Sequence, residues 1–249
     1  MQRPVIDVYI AANRNMKRNS TTALLIATTT SYVWCAPPLN TDDASTLQPG
    51  TCQLEIEQRR FGNRVERDVV PACNLWFDTE IGVGHQRVSP AGAGRTDSIV
   101  VQAKKVLGVI EQGDWSVGVG AATVRAMNST EQSGIRQNYV NAILTRQVGA
   151  TALHANLGVV FDREADVDPR RSRQTWAIAV EHEATSRWTV VAELFGQRGV
   201  PQSAQFGLRW WAIPKYVQLT TSLGSQRSMG SDGRWMSVGI RFESPDWAH

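Results

Sequence analysis

Ten residues of this chain could carry charge into an enclosed space: Glu55, Glu57, Glu80, Lys104, Arg146, His154, Glu181, Glu193, Arg209 and Arg241. They sit in short segments where apolar and polar residues alternate, so each segment presents one greasy face and one polar face. Charges withdrawn from bulk water must be paired or hydrated. In a narrow interior such groups form an acid–base network that serves as structure. In a wider one they line a wet path and bias what passes. Both roles stay open from the sequence.

Other chemistries fit less well. Acyl transfer or lipid hydrolysis needs a serine or similar nucleophile, a histidine and an acid in mutual reach. His85 and His182 lie near the expected extracellular ends of their segments, with Ser89 and Glu183 nearby in sequence. Nothing in the spacing brings these groups together, so an enzyme is not expected. His154 has no second ligand at a diagnostic spacing, and the three cysteines form no CxxC, so neither a metal nor another cofactor is expected. Gly118 to Thr123 and Gly92-Ala93-Gly94 superficially match phosphate-binding loops. Neither sits in a strand–turn–helix setting; the first reads as a strand with small inward residues, the second as a flexible loop. A net charge of +3, spread along the chain without a basic stripe, argues against a nucleic-acid partner.

The elements that must position the charges are strands. Alternation marks them at 52–60, 65–74, 78–88, 97–110, 114–126, 137–147, 151–162, 173–184, 187–196, 204–213, 216–225 and 234–244. Beyond the first hairpin the connections alternate between short and long. The short ones fall at 75–77, 111–113, 148–150, 185–186 and 214–215. The long ones fall at 89–96, 127–136, 163–172, 197–203 and 226–233. Short turns at one end and longer loops at the other, along an even number of antiparallel strands, predict an all-β, up-and-down transmembrane β-barrel of about twelve strands, with ten as the alternative. In the 163–172 loop Asp166, Asp168, Arg170 and Arg171 make a solvated surface or a lipopolysaccharide contact.

Face patterning agrees. Leu153, Ala155, Leu157, Val159 and Phe161 alternate with His154, Asn156, Gly158 and Asp162; Trp188, Val190, Ala192 and Leu194 face away from Glu193. Such strands turn apolar residues outward and polar or small residues inward, the reverse of a soluble barrel. Aromatics fall near both strand ends, as membrane-interface girdles require. Trp76, Trp115, Trp188, Trp211, Tyr216 and Phe242 lie toward the short turns. Tyr139, Phe161, Trp176, Phe195, Phe206 and Trp235 lie toward the long loops. One segment resists: Lys104 and Lys105 are adjacent, so one must face outward, rescued by a bulge or by snorkelling near an interface.

The N-terminus reads as an export signal. Met16-Lys17-Arg18 is basic, Thr22 to Val33 is apolar and threonine-rich, and Val33-Trp34-Cys35 precedes a cleavage site before Ala36. Residues 1–35 are thus an N-terminal extension and signal peptide, with Met16 the natural start. Residues 36–50 form a polar periplasmic lead-in, 51–244 the barrel and 245–249 a tail. In the first hairpin, Gly62-Asn63 supplies the turn. Counting outward from Phe61 opposite Arg64 sets Cys52 opposite Cys73, a non-hydrogen-bonded pair where Cα atoms come closest. A structural disulfide near the periplasmic rim follows, in keeping with an oxidising compartment.

Thr41-Asp42-Asp43-Ala44, Pro49 to Glu55, Val70 to Asn74, Thr79 to Gly84 and Ala192 to Gly196 resemble stretches of a group of Gram-negative outer-membrane barrels described as transporters. That group is related to barrels named for the meta-pathway of phenol degradation. The resemblance implies uptake of small molecules, aromatic or otherwise hydrophobic ones among them. Outer-membrane barrels commonly end on an aromatic, whereas Phe242 is followed by Glu243 to His249, so either the assembly signal is internal or the tail is an extra periplasmic segment. The expected function is therefore an outer-membrane channel or transporter for a small solute. The alternatives are a non-conducting structural or adhesion barrel, and a rim-sited lipid-modifying enzyme. Expected partners are outer-membrane lipid and lipopolysaccharide, the solute and the barrel-assembly machinery.

Overall fold

A computed structural model describes residues 39–76, 78–91, 94–110, 114–127, 136–164, 168–227, 229 and 233–245. The N-terminal extension, the signal segment and residues 246–249 of the tail lie outside the described residues. The strands are β1 (Thr51–Phe61), β2 (Arg64–Trp76), β3 (Thr79–Pro90), β4 (Thr96–Ile110), β5 (Trp115–Ala126) and β6 (Arg136–Val148). They continue as β7 (Thr151–Glu164), β8 (Asp168–Glu183), β9 (Trp188–Gln197), β10 (Ser203–Ile213), β11 (Val217–Gln226) and β12 (Arg234–Glu243). Each pairs antiparallel with its sequence neighbours, and β12 closes on β1 through a register running from Gln53↔Glu243 to Phe61↔Trp235. The result is a closed twelve-stranded barrel, which leaves no exposed sheet edge.

In the tight turns at one end Asp78, Asp114, Gly149 and Lys215 adopt positive φ, which glycine and aspartate tolerate and lysine adopts against its preference. At the other end, β7 and β8 run further than expected. Their ladder continues to Glu164↔Asp168, so the long loop expected over 163–172 is mostly strand, and only 165–167 lie outside the described residues. Pro71 has no N–H to donate, and the β2–β3 pairing skips from Val69↔His85 to Ala72↔Gly82 around it.

The first hairpin has the expected register. Cys52 faces Cys73 and the two are bonded, with Cα atoms 4.0 Å apart. The disulfide sits on the outer face at the short-turn end, where Cys52 N also meets Ser244 Oγ at 2.9 Å.

The outer wall is apolar: Val69, Val83, Val101, Leu157, Ile178, Leu219, Leu223 and Val238 are all exposed there. The inner wall is polar, with Glu55, Glu57, Glu66, Asp68, Gln86, Asn156, Glu193, Gln205 and Gln218 buried. Apolar clusters interrupt it: inward Ala179 and Val191 pack on Leu39, and Val70, Val100, Ala122, Val124, Tyr139 and Val160 form a larger one. Ala177, Phe195 and Trp235 form a third, with Phe61 packed against them.

The aromatic girdles need correction on this account. Phe161 and Phe206 do face outward at the long-loop end, but Tyr139, Phe195 and Trp235 point into the lumen. At the short-turn end Trp211 also turns inward, opposite buried Gln218. Its neighbour Trp210 takes the outer position and stacks on Trp188 at 5.8 Å.

The two lysines separate as strand parity requires. Lys104 points into the lumen, whereas exposed Lys105 points out beside the short turn, its Nζ 3.3 Å from Thr79 Oγ1. A bulge between Val106 and Gly108 follows immediately.

Candidate functional site

The lumen is not empty. Residues 39–50, expected to lie outside the barrel as a periplasmic lead-in, rise from the short-turn rim into its middle; Leu39, Asn40, Thr41, Asp42, Ala44 and Leu47 are buried. The physical reason is that wall side chains alone leave the interior of a twelve-stranded barrel unfilled, while the polar backbone of this segment finds partners all the way up. Gly50 N donates to Asn74 O at 2.8 Å and Asn74 Nδ2 donates to Leu47 O at 2.6 Å. Leu47 N reaches Glu80 Oε2 at 3.2 Å, and Ala44 N donates to Thr145 Oγ1 at 2.8 Å. Asp42 and Asn156 exchange two bonds: Asp42 N to Asn156 Oδ1 at 2.6 Å, and Asn156 Nδ2 to Asp42 O at 2.9 Å.

Glu193 on β9 holds the inner end of the segment. Its carboxylate accepts from Asn40 N at 2.8 and 2.9 Å and from Asn40 Nδ2 at 2.9 Å, and also from Thr41 N and Thr41 Oγ1. Gln205 Nε2 adds a further bond at 2.6 Å. Leu39, just beyond, packs on Ala179 and Val191. Lys104 clamps the segment from the opposite wall, with Nζ 3.0 Å from Asp42 Oδ1 and 3.1 Å from Asp43 Oδ1. Burial pushes the Asp43 carboxyl up, but the Lys104 ammonium outweighs it, helped by His154 and Ser45. The net effect holds Asp43 well below the usual carboxylate range.

Three other predicted residues form one group. Arg209 Nη1 donates to Glu181 Oε2 at 2.6 Å, and His154 Nε2 lies 3.7 Å from Glu181 Oε1. His154 Nδ1 is 2.9 Å from Thr145 Oγ1, the same hydroxyl that receives Ala44 N, so this group also touches the segment. Arg241 lies 3.9 Å from Glu55 and 2.5 Å from Glu243. Glu57 pairs with Arg59 at 3.2 Å in the long-loop half. Below the segment, at the short-turn end, a cavity of about 760 Å³ is lined by Asp43, Glu55, Glu80, Lys104, Trp211 and Arg241 among others.

All the predicted lumen residues except Arg146 face inward. On β6 the inward positions are odd, as buried Tyr139, Asn141 and Ile143 demonstrate. Arg146 therefore points outward, its guanidinium 5.1 Å from the centre of the Trp115 ring on the adjacent strand. Sequence reasoning placed Asn156 on the inward face without singling it out, and missed Asn40, Thr41 and Gln205, neutral residues with no charge to draw notice.

The histidines lie at opposite ends of the barrel, not both at the long-loop end. His85 meets Asp97 at 3.2 Å near the long loops, and His182 meets Thr151 at 3.0 Å beside a short turn. Among the described residues no group of three or more His, Cys, Asp or Glu is placed to hold a metal ion.

An inside-out barrel with a polar, partly filled lumen defines the class: a twelve-stranded barrel of the outer-membrane type. Solved structures agree on the fold. The COG4313 outer membrane channel from Pseudomonas putida F1 superposes with a TM-score of 0.64 at 8% identity, covering 83% of this chain and 100% of that one. A KdgM porin in complex with disordered oligogalacturonate gives 0.62 at 9% identity, covering 76% and 98%. The NanC porin gives 0.58 at 11% identity, covering 77% and 98%. By sequence, the chain belongs to the family described as uncharacterised conserved protein UCP029691, whose model matches residues 24–243. No curated protein matches it.

Proposed function

We propose that the chain is an outer-membrane channel or transporter for a small solute, exported by its N-terminal signal, with the short turns periplasmic and the long loops outside. The observation that carries this reading is the lumen itself. A closed wall of strands encloses ionisable groups and a segment held by side-chain hydrogen bonds, which can be exchanged for water or solute. The path runs past Glu193, Arg209, Glu181, His154 and Lys104 to the cavity by Glu80, Glu55 and Arg241.

The solute is a neutral or aromatic molecule and not a polyanion. Oligogalacturonate, named with the KdgM porin, is a chain of carboxylates. Here buried Glu55, Glu57 and Glu66 already engage Arg241, Arg59 and Arg64, so a polyanion would have to compete with wall carboxylates for those guanidinium groups. Phe61, Phe195 and Trp235 near the long-loop mouth offer apolar contact instead. This accords with the resemblance to barrels of phenol degradation.

The test is single-channel conductance of refolded protein in a planar bilayer, comparing wild type with Glu193→Gln and Arg209→Gln. Discrete steps whose selectivity moves with the substitutions support the reading. Insertion without current in any of the three favours the second reading, a non-conducting structural or adhesion barrel, which the filled lumen also suits. Failure to insert overturns the membrane assignment.

A further inference from the structure

Among the described residues the outer wall carries a concentration of charge. At the long-loop ends of β1 to β5, Arg60, Arg67, His85, Arg87, Arg95 and Arg125 all lie on the outer face and are exposed or half-buried. Strand pairing makes them neighbours: Arg67 is opposite Arg87, Arg87 opposite Asp97, and Ile99 lies between His85 and Arg125.

Asp97 is the acid at their centre, and its side chain is only 2% exposed. It accepts from Arg87 Nε at 2.7 Å and pairs with His85 at 3.2 Å and Arg95 at 3.3 Å. Asp97 thus lies beneath the cations and fixes their directions, while 37% of the Arg87 side chain and 62% of that of Arg95 stay exposed. Arg67 spends one N–H on Gln58, at 2.9 Å. Among the described residues, five arginines against one carboxylate leave the patch positive, and each guanidinium carries five N–H donors.

Just below the arginines the wall is apolar: Ile56, Val69, Val83, Ile99 and Val101 are exposed. Among the described residues, the same end of β7 to β11 exposes Phe161, Leu194, Phe206 and Leu223. A water-facing patch needs no apolar band beneath it. A patch that meets a lipid headgroup above its acyl chains does.

We propose that this patch binds lipid A, the saccharolipid of the outer leaflet, with its two phosphates held by Arg67, Arg87 and Arg95 and its acyl chains on the apolar band. Planar guanidinium groups fixed by a buried carboxylate suit bidentate phosphate contacts. A headgroup bearing two phosphates spans several arginines, which a single-phosphate glycerolipid cannot. The proposal rests on the outer-membrane reading above, because lipid A occurs on the long-loop side only if those loops face outward.

The test uses full-length mature protein refolded in detergent, with folding checked separately by heat-modifiable migration. Deep-rough lipopolysaccharide, monophosphoryl lipid A and phosphatidylglycerol are titrated, and retained lipid is counted by native mass spectrometry. The expected order is deep-rough lipopolysaccharide first, monophosphoryl lipid A weaker, and phosphatidylglycerol about tenfold weaker or more. The triple variant Arg67→Gln, Arg87→Gln, Arg95→Gln should lose about tenfold or more for lipopolysaccharide. Arg146→Gln, on the outer face at the opposite end, should bind as wild type. If the triple variant does not fold, Arg125→Gln and Arg60→Gln, at exposed sites, each should weaken binding about threefold. Equal affinity for phosphatidylglycerol, or undiminished binding by folded arginine variants, overturns the proposal. Failure of the wild type to fold into micelles would count against the membrane reading instead.

Discussion

Asn40 and Glu193 are 153 residues apart in sequence, yet the backbone and side-chain amides of Asn40 both donate to the Glu193 carboxylate in mid-barrel. Removing the charge while keeping the shape tests what that contact holds. In Glu193→Gln the new amide accepts through one oxygen, and its NH₂ faces the donors of Asn40, Thr41 and Gln205. Bonds to a charged acceptor are worth about 1.5–3 kcal/mol each, so the inner end of residues 39–44 should detach without loss of the barrel. Hydrogen exchange should show protection of the Asn40 and Thr41 amides falling at least tenfold, while strand amides of β9 and β10 stay protected. Unchanged exchange at Asn40 would mean that Leu39, packed on Ala179 and Val191, anchors the segment by itself.

A second prediction concerns acid. Asp43 is held below its usual value of 3.8 by Lys104. A carboxylate depressed in the docked state adds stability above the free group's pKa, and loses it as pH falls through the docked value. The hold on residues 39–50 should therefore be constant from pH 8 to 5 and weaken only below about pH 4. Conductance or exchange measured against pH checks this. Lys104→Met, which leaves Asp42 and Asp43 without their ammonium, should remove this acid-dependent loss, because burial then raises the docked Asp43 carboxyl with no ammonium to outweigh it. A loss below about pH 4 that persists in Lys104→Met would assign it to other carboxylates.

These contacts mark how far the sequence could be read. Strand alternation and the Gly62-Asn63 turn are local signals, so the register that pairs Cys52 with Cys73 follows by counting, as do the inward directions of Glu193 and Arg209. Position 146 shows where residue type misleads and counting does not. Arg146 looks like a lumen charge by type, and only the parity set by Tyr139, Asn141 and Ile143 turns it outward. The placement of residues 39–50 was not legible at all. Their polarity fits water below the barrel as well as water-like partners within it, and their partners Asn156, Thr145 and Glu193 lie more than a hundred residues away. What decides between the two is the unfilled volume of the closed barrel, a property of all twelve strands together. The inward turn of Trp211 and Trp235 has the same origin: aromatics at strand ends are visible in the sequence, but the face they take depends on the ladder.

Gly224 offers a test of the aromatic cluster. A Cβ built there would stand 2.1 Å from the Trp235 indole on the paired strand, an impossible contact. Gly224→Ala should push Trp235 off its place against Phe61 and Phe195, costing about 1–3 kcal/mol as overpacking does. Near-ultraviolet circular dichroism should lose intensity while the barrel still shows heat-modifiable migration. A tighter cluster with undiminished signal would mean that β11 shifts instead of the ring.

The disulfide supplies the last prediction. Cys52 and Cys73 close a span of 21 residues, for which chain entropy sets an upper contribution of about 3 kcal/mol to stability. The register beneath the bond is already set by the Gly62-Asn63 turn and by ladder pairs on both sides, Thr51↔Asn74 and Gln53↔Ala72. The bond also lies on the outer face, away from the inward partners of residues 39–50. Replacing both cysteines by serine should therefore lower the urea midpoint of unfolding without changing hydrogen exchange at Asn40 or the conductance of the folded protein. If the double variant instead freed residues 39–44, the bond would be holding the rim from which that segment enters the lumen. The contacts of Gly50 N and Leu47 O with Asn74, next to Cys73, would then be the link between the two.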